Sequence, residues 1–225
     1  MRVGLDVYSI HHLKLDPFQT LHFAVEHKLD GVQFHWPGEI SPTLDSGKLA
    51  EIRQEANRLG LYLEVGLPTI NPYHFDSERA AQVKALGDGD YVRGIVKVIE
   101  AAQGIGCHEL RTNIGAREDR LDPTWPAQVR AATAVIQQLR SVLLNGGSRI
   151  NVENHADATT FELVRLVENA GPDIAGICLD VGNVCRQLED PVRAAQRAAP
   201  YVHLTHTKDA ILFFTECGLA WQARP

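Results

Sequence analysis

The chain has 225 residues, 44% of them hydrophobic, with a net charge of -6. That length suits one large core or two small ones, and no apolar run approaches the roughly 20 residues of a membrane helix. The acidic balance and the lack of a basic run argue against a phosphate-backbone binder, so neither nucleic acid nor membrane is an expected partner. Cys107, Cys178, Cys185 and Cys217 lack CxxC or disulfide-framework spacing. They read as free thiols in a reducing compartment, and the expected location is the cytoplasm.

The predicted elements alternate. Short apolar runs at Val3–Val7, Gly31–His35, Leu61–Val65, Glu109–Ile114, Ile150–Asn154, Ile174–Val181 and Tyr201–Thr205 suit buried strands. Helical stretches separate them. Asp16-Pro17 opens the first, with Phe18, Leu21 and Val25 on one face. Leu49, Ile52, Ala56 and Leu59 stripe the second up to Gly60, and Val92, Ile95, Ile99 and Ala102 stripe the third up to Gly104. The fourth runs through Val129, Ala132, Ile136, Leu139 and Leu143 to Gly146-Gly147. Thr159 and Glu162 make a capping box for the fifth, and Asp190-Pro191 starts a short sixth.

Strand–helix alternation predicts a parallel sheet with right-handed crossovers. No Gly-rich dinucleotide fingerprint follows the first strand, and polar residues recur at the strands' C-terminal ends. Both favour a (β/α)8 TIM barrel over a doubly wound sheet. The chain reads as one domain, 1–225, that lacks the last strand and helix of the barrel. After the seventh strand, Ile211 to Glu216 reads as a loop. Either the sequence continues beyond residue 225, or a partner copy in a homo-oligomer supplies the missing piece.

Side-chain parity locates the chemistry. Ile150 and Val152 share one strand face and Asn151, Glu153 and His155 the other. Asp180 lies opposite Ile177 and Leu179, and His206 opposite His203 and Thr205. Helices cover a barrel's outside, so Glu153, Asp180 and His206 should point inward at neighbouring strand ends. Two carboxylates and an imidazole form a hard-to-borderline divalent site, and the carboxylates repel each other without a cation.

The segments Asn151-Val152-Glu153-Asn154-His155, Leu179-Asp180-Val181-Gly182-Asn183 and His206-Thr207-Lys208-Asp209 resemble fifth-, sixth- and seventh-strand motifs of the xylose isomerase-like barrel superfamily. The closest branch is the sugar phosphate isomerase/epimerase group, which includes ketose 3-epimerases. The resemblance implies one divalent cation (Mn2+, Mg2+, Co2+ or Zn2+) held by Glu153, Asp180, His206 and a further Glu from an eighth strand. Glu216 does not match that fourth position.

The resemblance also implies a metal-dependent sugar or sugar-phosphate isomerase or epimerase. Glu153 would be the proton-transfer base next to a carbonyl, and the reaction would pass through an enediolate. Without the second carboxylate, this chain alone is expected to be a poor epimerase. The alternatives are a same-scaffold dehydratase of a polyol or hydroxy acid, and an inactive homologue. An abasic-site endonuclease is disfavoured, because Asn183 stands where that activity needs a histidine.

The expected substrate-binding residues are Asn183, Lys208, Arg111, Glu64, His35 and Trp36. Asn183 either bonds substrate or stabilises a turn. Lys208 either meets an anionic group or is a solvated rim lysine. Glu64 and Arg111 have inward parity on adjacent strands and suit an ion pair. Trp36 suits sugar stacking or packing equally, and His155 suits a supporting role.

Overall fold

The computed structural model describes residues 2–75, 77–116 and 118–224. In chain order the elements are β1 (Gly4–Asp6), α1 (Pro17–Glu26), β2 (Gly31–Phe34), α2 (Ser46–Leu59), β3 (Tyr62–Gly66), α3 (Glu78–Leu86), α4 (Tyr91–Gly104) and β4 (Glu109–Thr112). They continue with α5 (Trp125–Gln138), α6 (Arg140–Asn145), β5 (Arg149–Glu153), α7 (Thr160–Ala170), β6 (Ala175–Asp180), α8 (Val181–Arg186), α9 (Pro191–Ala198), β7 (Val202–His206), β8 (Asp209–Thr215) and β9 (Gly218–Arg224). Short 3-10 turns fill several connections. The first seven strands follow one another in chain order in one sheet, and β8 and β9 form a separate pair. No described helix is long and apolar enough to cross a membrane.

The chain divides into two compact units. One comprises Met1–Pro68, Ser77–Leu110 and Ser141–Ser148; the other comprises Thr69–Asp76, Arg111–Arg140 and Arg149–Pro225.

In the first unit, β1, β2 and β3 pair in parallel, with Leu5 opposite Val32 and Val32 opposite Leu63. Leu21, Ile52, Ile95 and Ile99 are buried in this unit's core. Asp16 and Gln19 cap α1 reciprocally. Gly60, in the left-handed region at φ 72°, ends α2 where the sequence predicts.

Two readings need correction here. The buried face of α1 is Thr20, Leu21 and Ala24, while Phe18 and Val25 are exposed. Helix α3 is not predicted, because only Ala80 and Val83 are buried along its nine residues. It lies hard against α4: a Cβ on Gly94 would come within 2.0 Å of the Val83 carbonyl oxygen.

In the second unit, β5, β6 and β7 pair in parallel beneath α7 and α9. Ile150, Val152, Leu163, Leu166 and Ile177 are fully buried. Thr159 and Glu162 form the expected capping box. The predicted fourth helix is broken at Leu139 into α5 and α6. The stretch after β7 is not a loop: Asp209–Thr215 pairs antiparallel with Gly218–Arg224, turning at Gly218 with φ 118°. This hairpin stands outside the parallel sheet, which has no eighth strand among the described residues.

Candidate metal centre

The candidate ligands belong to the second unit and end consecutive strands. Glu153 ends β5, Asp180 ends β6 and His206 ends β7. A register shift aligns the last two. Ile177 pairs with Val202, but Cys178 pairs with Leu204, so β7 carries one extra residue, His203. An unshifted ladder would place Asp180 beside Thr205, whose side chain points the other way. With the bulge, Asp180 pairs with His206.

Local hydrogen bonds fix Asp180 further. Its backbone N–H donates to Asn154 Oδ1 at 2.7 Å and its carbonyl accepts from Asn154 Nδ2 at 2.9 Å. Its carboxylate caps α8 by accepting from the Asn183 N–H at 2.9 Å.

One ligand atom from each of Glu153, Asp180 and His206 lies within 4.8 Å of the others. His206 Nδ1 is 3.6 Å from Glu153 Oε1. Glu153 and Asp180 are 2% and 1% exposed, so their charges need partners. Arg111 donates from Nε and Nη2 to Glu153 Oε2. Asn183 Nδ2 donates to Glu153 Oε1 at 3.3 Å, and Lys208 Nζ lies 2.8 Å from Asp180 Oδ2.

These partners set the protonation states. Burial alone would raise the Glu153 pKa, but Arg111 and His206 outweigh it and hold the carboxyl well below the usual range. Burial raises Asp180 against the opposing pull of Lys208 and the Asn183 N–H. Burial lowers His206, but contact with Cys178 and Glu153 prevails and pushes the imidazole up to about 11. Two oxygen donors and one nitrogen at this spacing fit a hard or borderline divalent cation.

The structure thus brings Glu153, Asp180, His206, Asn183, Lys208 and Arg111 into one cluster. The other predicted residues belong to the first unit. There the Glu64 carboxylate accepts from Gln33 Nε2 at 3.2 Å. His35 Nδ1 is 2.7 Å from Glu39 Oε1. Trp36 is buried with its ring over Gly38, where a Cβ would come within 2.2 Å of the indole. Glu216 is exposed at the hairpin turn.

Three contributors escaped the sequence reading. Asn154 latches Asp180, and its place directly after Glu153 was the available signal. Cys178 shares the inward parity of Asp180 and touches His206. Trp221 reaches back from β9 to donate from Nε1 to the Gly182 carbonyl at 2.9 Å.

Residues 21–217 match the sequence profile of the xylose isomerase-like TIM barrel, and the chain belongs to that family. It is 26% identical over 230 residues to an uncharacterized Escherichia coli (strain K12) protein, YihM, covering 97% of this chain and 62% of that one. The chain therefore spans about three fifths of that curated relative. Its fold is similar to a D-psicose 3-epimerase crystallised in the presence of D-fructose, with a TM-score of 0.71 at 19% identity over 93% of this chain and 73% of that one. It is also similar to the probable 3-DHS dehydratase AsbF of Bacillus anthracis, with a TM-score of 0.69 at 16% identity over 93% of this chain and 73% of that one.

Proposed function

We propose that this chain carries the metal centre of a divalent-cation-dependent isomerase or epimerase acting on a sugar or sugar phosphate. The observation behind this reading is the convergence of Glu153, Asp180 and His206 within 4.8 Å at three consecutive strand ends. Its family membership and its likeness to a ketose epimerase support the substrate class. The four cysteines are free, in keeping with action in the cytoplasm.

Glu153, Asp180 and His206 would hold Mn2+, Mg2+, Co2+ or Zn2+. The ion would supply a Lewis acid and a template for a carbonyl and its neighbouring hydroxyl. Glu153 is the base that takes the proton from the carbon next to the carbonyl. Arg111 keeps its carboxylate ionised, and Asn183 orients Oε1. Asn154 and the α8 N–H hold Asp180 in place.

Deuterium exchange at sugar α-carbons, measured by NMR across a ketose panel with added Mn2+, tests this directly. Exchange that disappears in Glu153→Gln is expected. Exchange unaffected by that change would sink the mechanism. A dehydratase is the second reading, favoured by the likeness to AsbF. It shares the proton abstraction but ends in loss of water, so the same spectra separate the two by product.

A further inference from the structure

The metal centre is lined by protein cations, and their charge bears on the substrate. Glu153 is paired with Arg111, and Asp180 with Lys208. Two negative charges thus face these two positive ones, with the His206 imidazole beside them. A divalent cation on the two carboxylates would leave the positive charges of Arg111 and Lys208 in excess. Their side chains are 18% and 34% exposed, so water offsets the excess only in part. A neutral sugar offsets none of it.

The surroundings increase the excess. Trp221 carries two cations: the Arg186 guanidinium lies 5.3 Å from the ring centroid and the Lys208 ammonium 5.7 Å. The Lys208 stem lies against Gly182, where a Cβ would meet its Cγ at 2.7 Å, so only glycine leaves room for it. Indole and glycine together hold this lysine at the site's edge. His155 shares the inward face of Glu153, and among the described residues its buried Nδ1 has no hydrogen-bond partner.

We infer that the substrate carries an anionic group, a carboxylate or a phosphate, held by Lys208 beside Trp221 once the cation has taken Asp180. This rests on the metal-centre reading above. Lys208 is then a specificity determinant: its ammonium moves from Asp180 to the substrate's oxyanion, and the site returns toward neutrality.

The test uses the full chain. Electron paramagnetic resonance first measures Mn2+ binding. Calorimetry then compares D-fructose, D-fructose 6-phosphate and 5-keto-D-gluconate on the Mn2+-loaded protein. One of the two anions should bind at least about tenfold tighter than D-fructose, a difference of about 1.4 kcal/mol. Which anion it is distinguishes phosphate from carboxylate. Lys208→Met should bind Mn2+ at least as tightly as the parent, because a competing ammonium is gone. It should lose the anion preference, and Lys208→Arg should keep most of it. If Mn2+ binds but D-fructose binds as tightly as both anions, the inference is wrong and the metal centre stands. A preference that survives in Lys208→Met also overturns it. Absence of Mn2+ binding would overturn both readings together.

Discussion

The two units repeat the same strand–helix grammar but treat their strand ends differently. In the first, polar groups at the ends of β1, β2 and β3 are satisfied close by. Asp6 accepts from the Tyr8 N–H at 3.0 Å, Gln33 donates to Glu64, and His35 meets Glu39. Little charge is buried there. In the second, the ends of β5 and β6 bury two carboxylates and gather Arg111, Lys208, Asn183 and His206 around them. Burying like charges together is costly and stabilises nothing by itself. Such a cost is characteristic of a site, and the first unit shows what these strand ends look like without it.

The sharpest way to break the comparison is to neutralise one carboxylate in each unit. Glu153→Gln should lower α-carbon exchange about 10²–10⁴-fold, the usual weight of a positioned base. Glu64→Gln should cost less than about tenfold. Equal losses in exchange rate would show that the chemistry is not confined to the second unit.

Removing a cation comes next. Arg111→Ala leaves buried Glu153 with only His206 and the neutral Asn183 amide, and the metal-free protein should lose about 3–5 kcal/mol in urea denaturation. Added Mn2+ should restore part of this by supplying a new counter-charge. His35→Ala removes a half-exposed partner of Glu39 and should cost no more than about 1 kcal/mol. Comparable costs for the two would mean that burial of Glu153 is not what makes it dependent on Arg111.

A smaller effect should follow from Asn154→Ala. It removes two hydrogen bonds that clasp the backbone of Asp180 and leaves both buried groups unsatisfied, at about 1–3 kcal/mol. Because Asn154 touches neither Glu153 nor substrate in this reading, Mn2+ affinity should fall more than the unfolding free energy implies. Unchanged Mn2+ affinity would reduce Asn154 to a purely structural bond.

Much of this was legible beforehand, for identifiable reasons. Parallel strands buried on both faces read as apolar runs, and all seven appear within a residue or two of their predicted bounds. Parity and motif resemblance together pointed Glu153, Asp180 and His206 to one site, and the structure places one ligand atom of each within 4.8 Å of the others.

What was illegible depends on interactions that leave no periodic trace. The extra residue in β7 changes register without changing composition. Helix α8 is six residues long, too short to show a stripe, and exists because the Asp180 carboxylate caps it. The hairpin's first strand carries Ile211-Leu212-Phe213-Phe214, an unbroken apolar run without the alternation that marks a half-exposed strand, and Phe214 is 87% exposed. Trp36 was open between stacking and packing on sequence, because burial against Gly38 depends on the turn that follows β2.

The last prediction turns on a third buried acid of the second unit. Asp157 lies in the segment after β5, where its Oδ2 accepts from the Ile114 and Gly115 N–H groups at 3.0 and 2.8 Å. Among the described residues its buried Oδ1 has no hydrogen-bond partner, and no guanidinium or ammonium holds this carboxylate as Arg111 holds Glu153. Burial pushes its pKa up to about 6 from 3.8, against the pull of the backbone N–H groups. A carboxyl whose folded pKa is raised stabilises the fold below its unfolded pKa and loses that contribution as pH rises through the folded value. Asp157→Asn keeps an oxygen for the two N–H groups and removes the buried charge. The variant should therefore match the parent's stability near pH 4 and exceed it near pH 8, by up to about 3 kcal/mol. A thermal melt across that range checks it. A gap that is flat with pH, or that widens toward pH 4, would mean that Asp157 is compensated as fully as Glu153. The second unit would then hold all its buried acids in one way, and the metal centre would lose its distinction from its own surroundings.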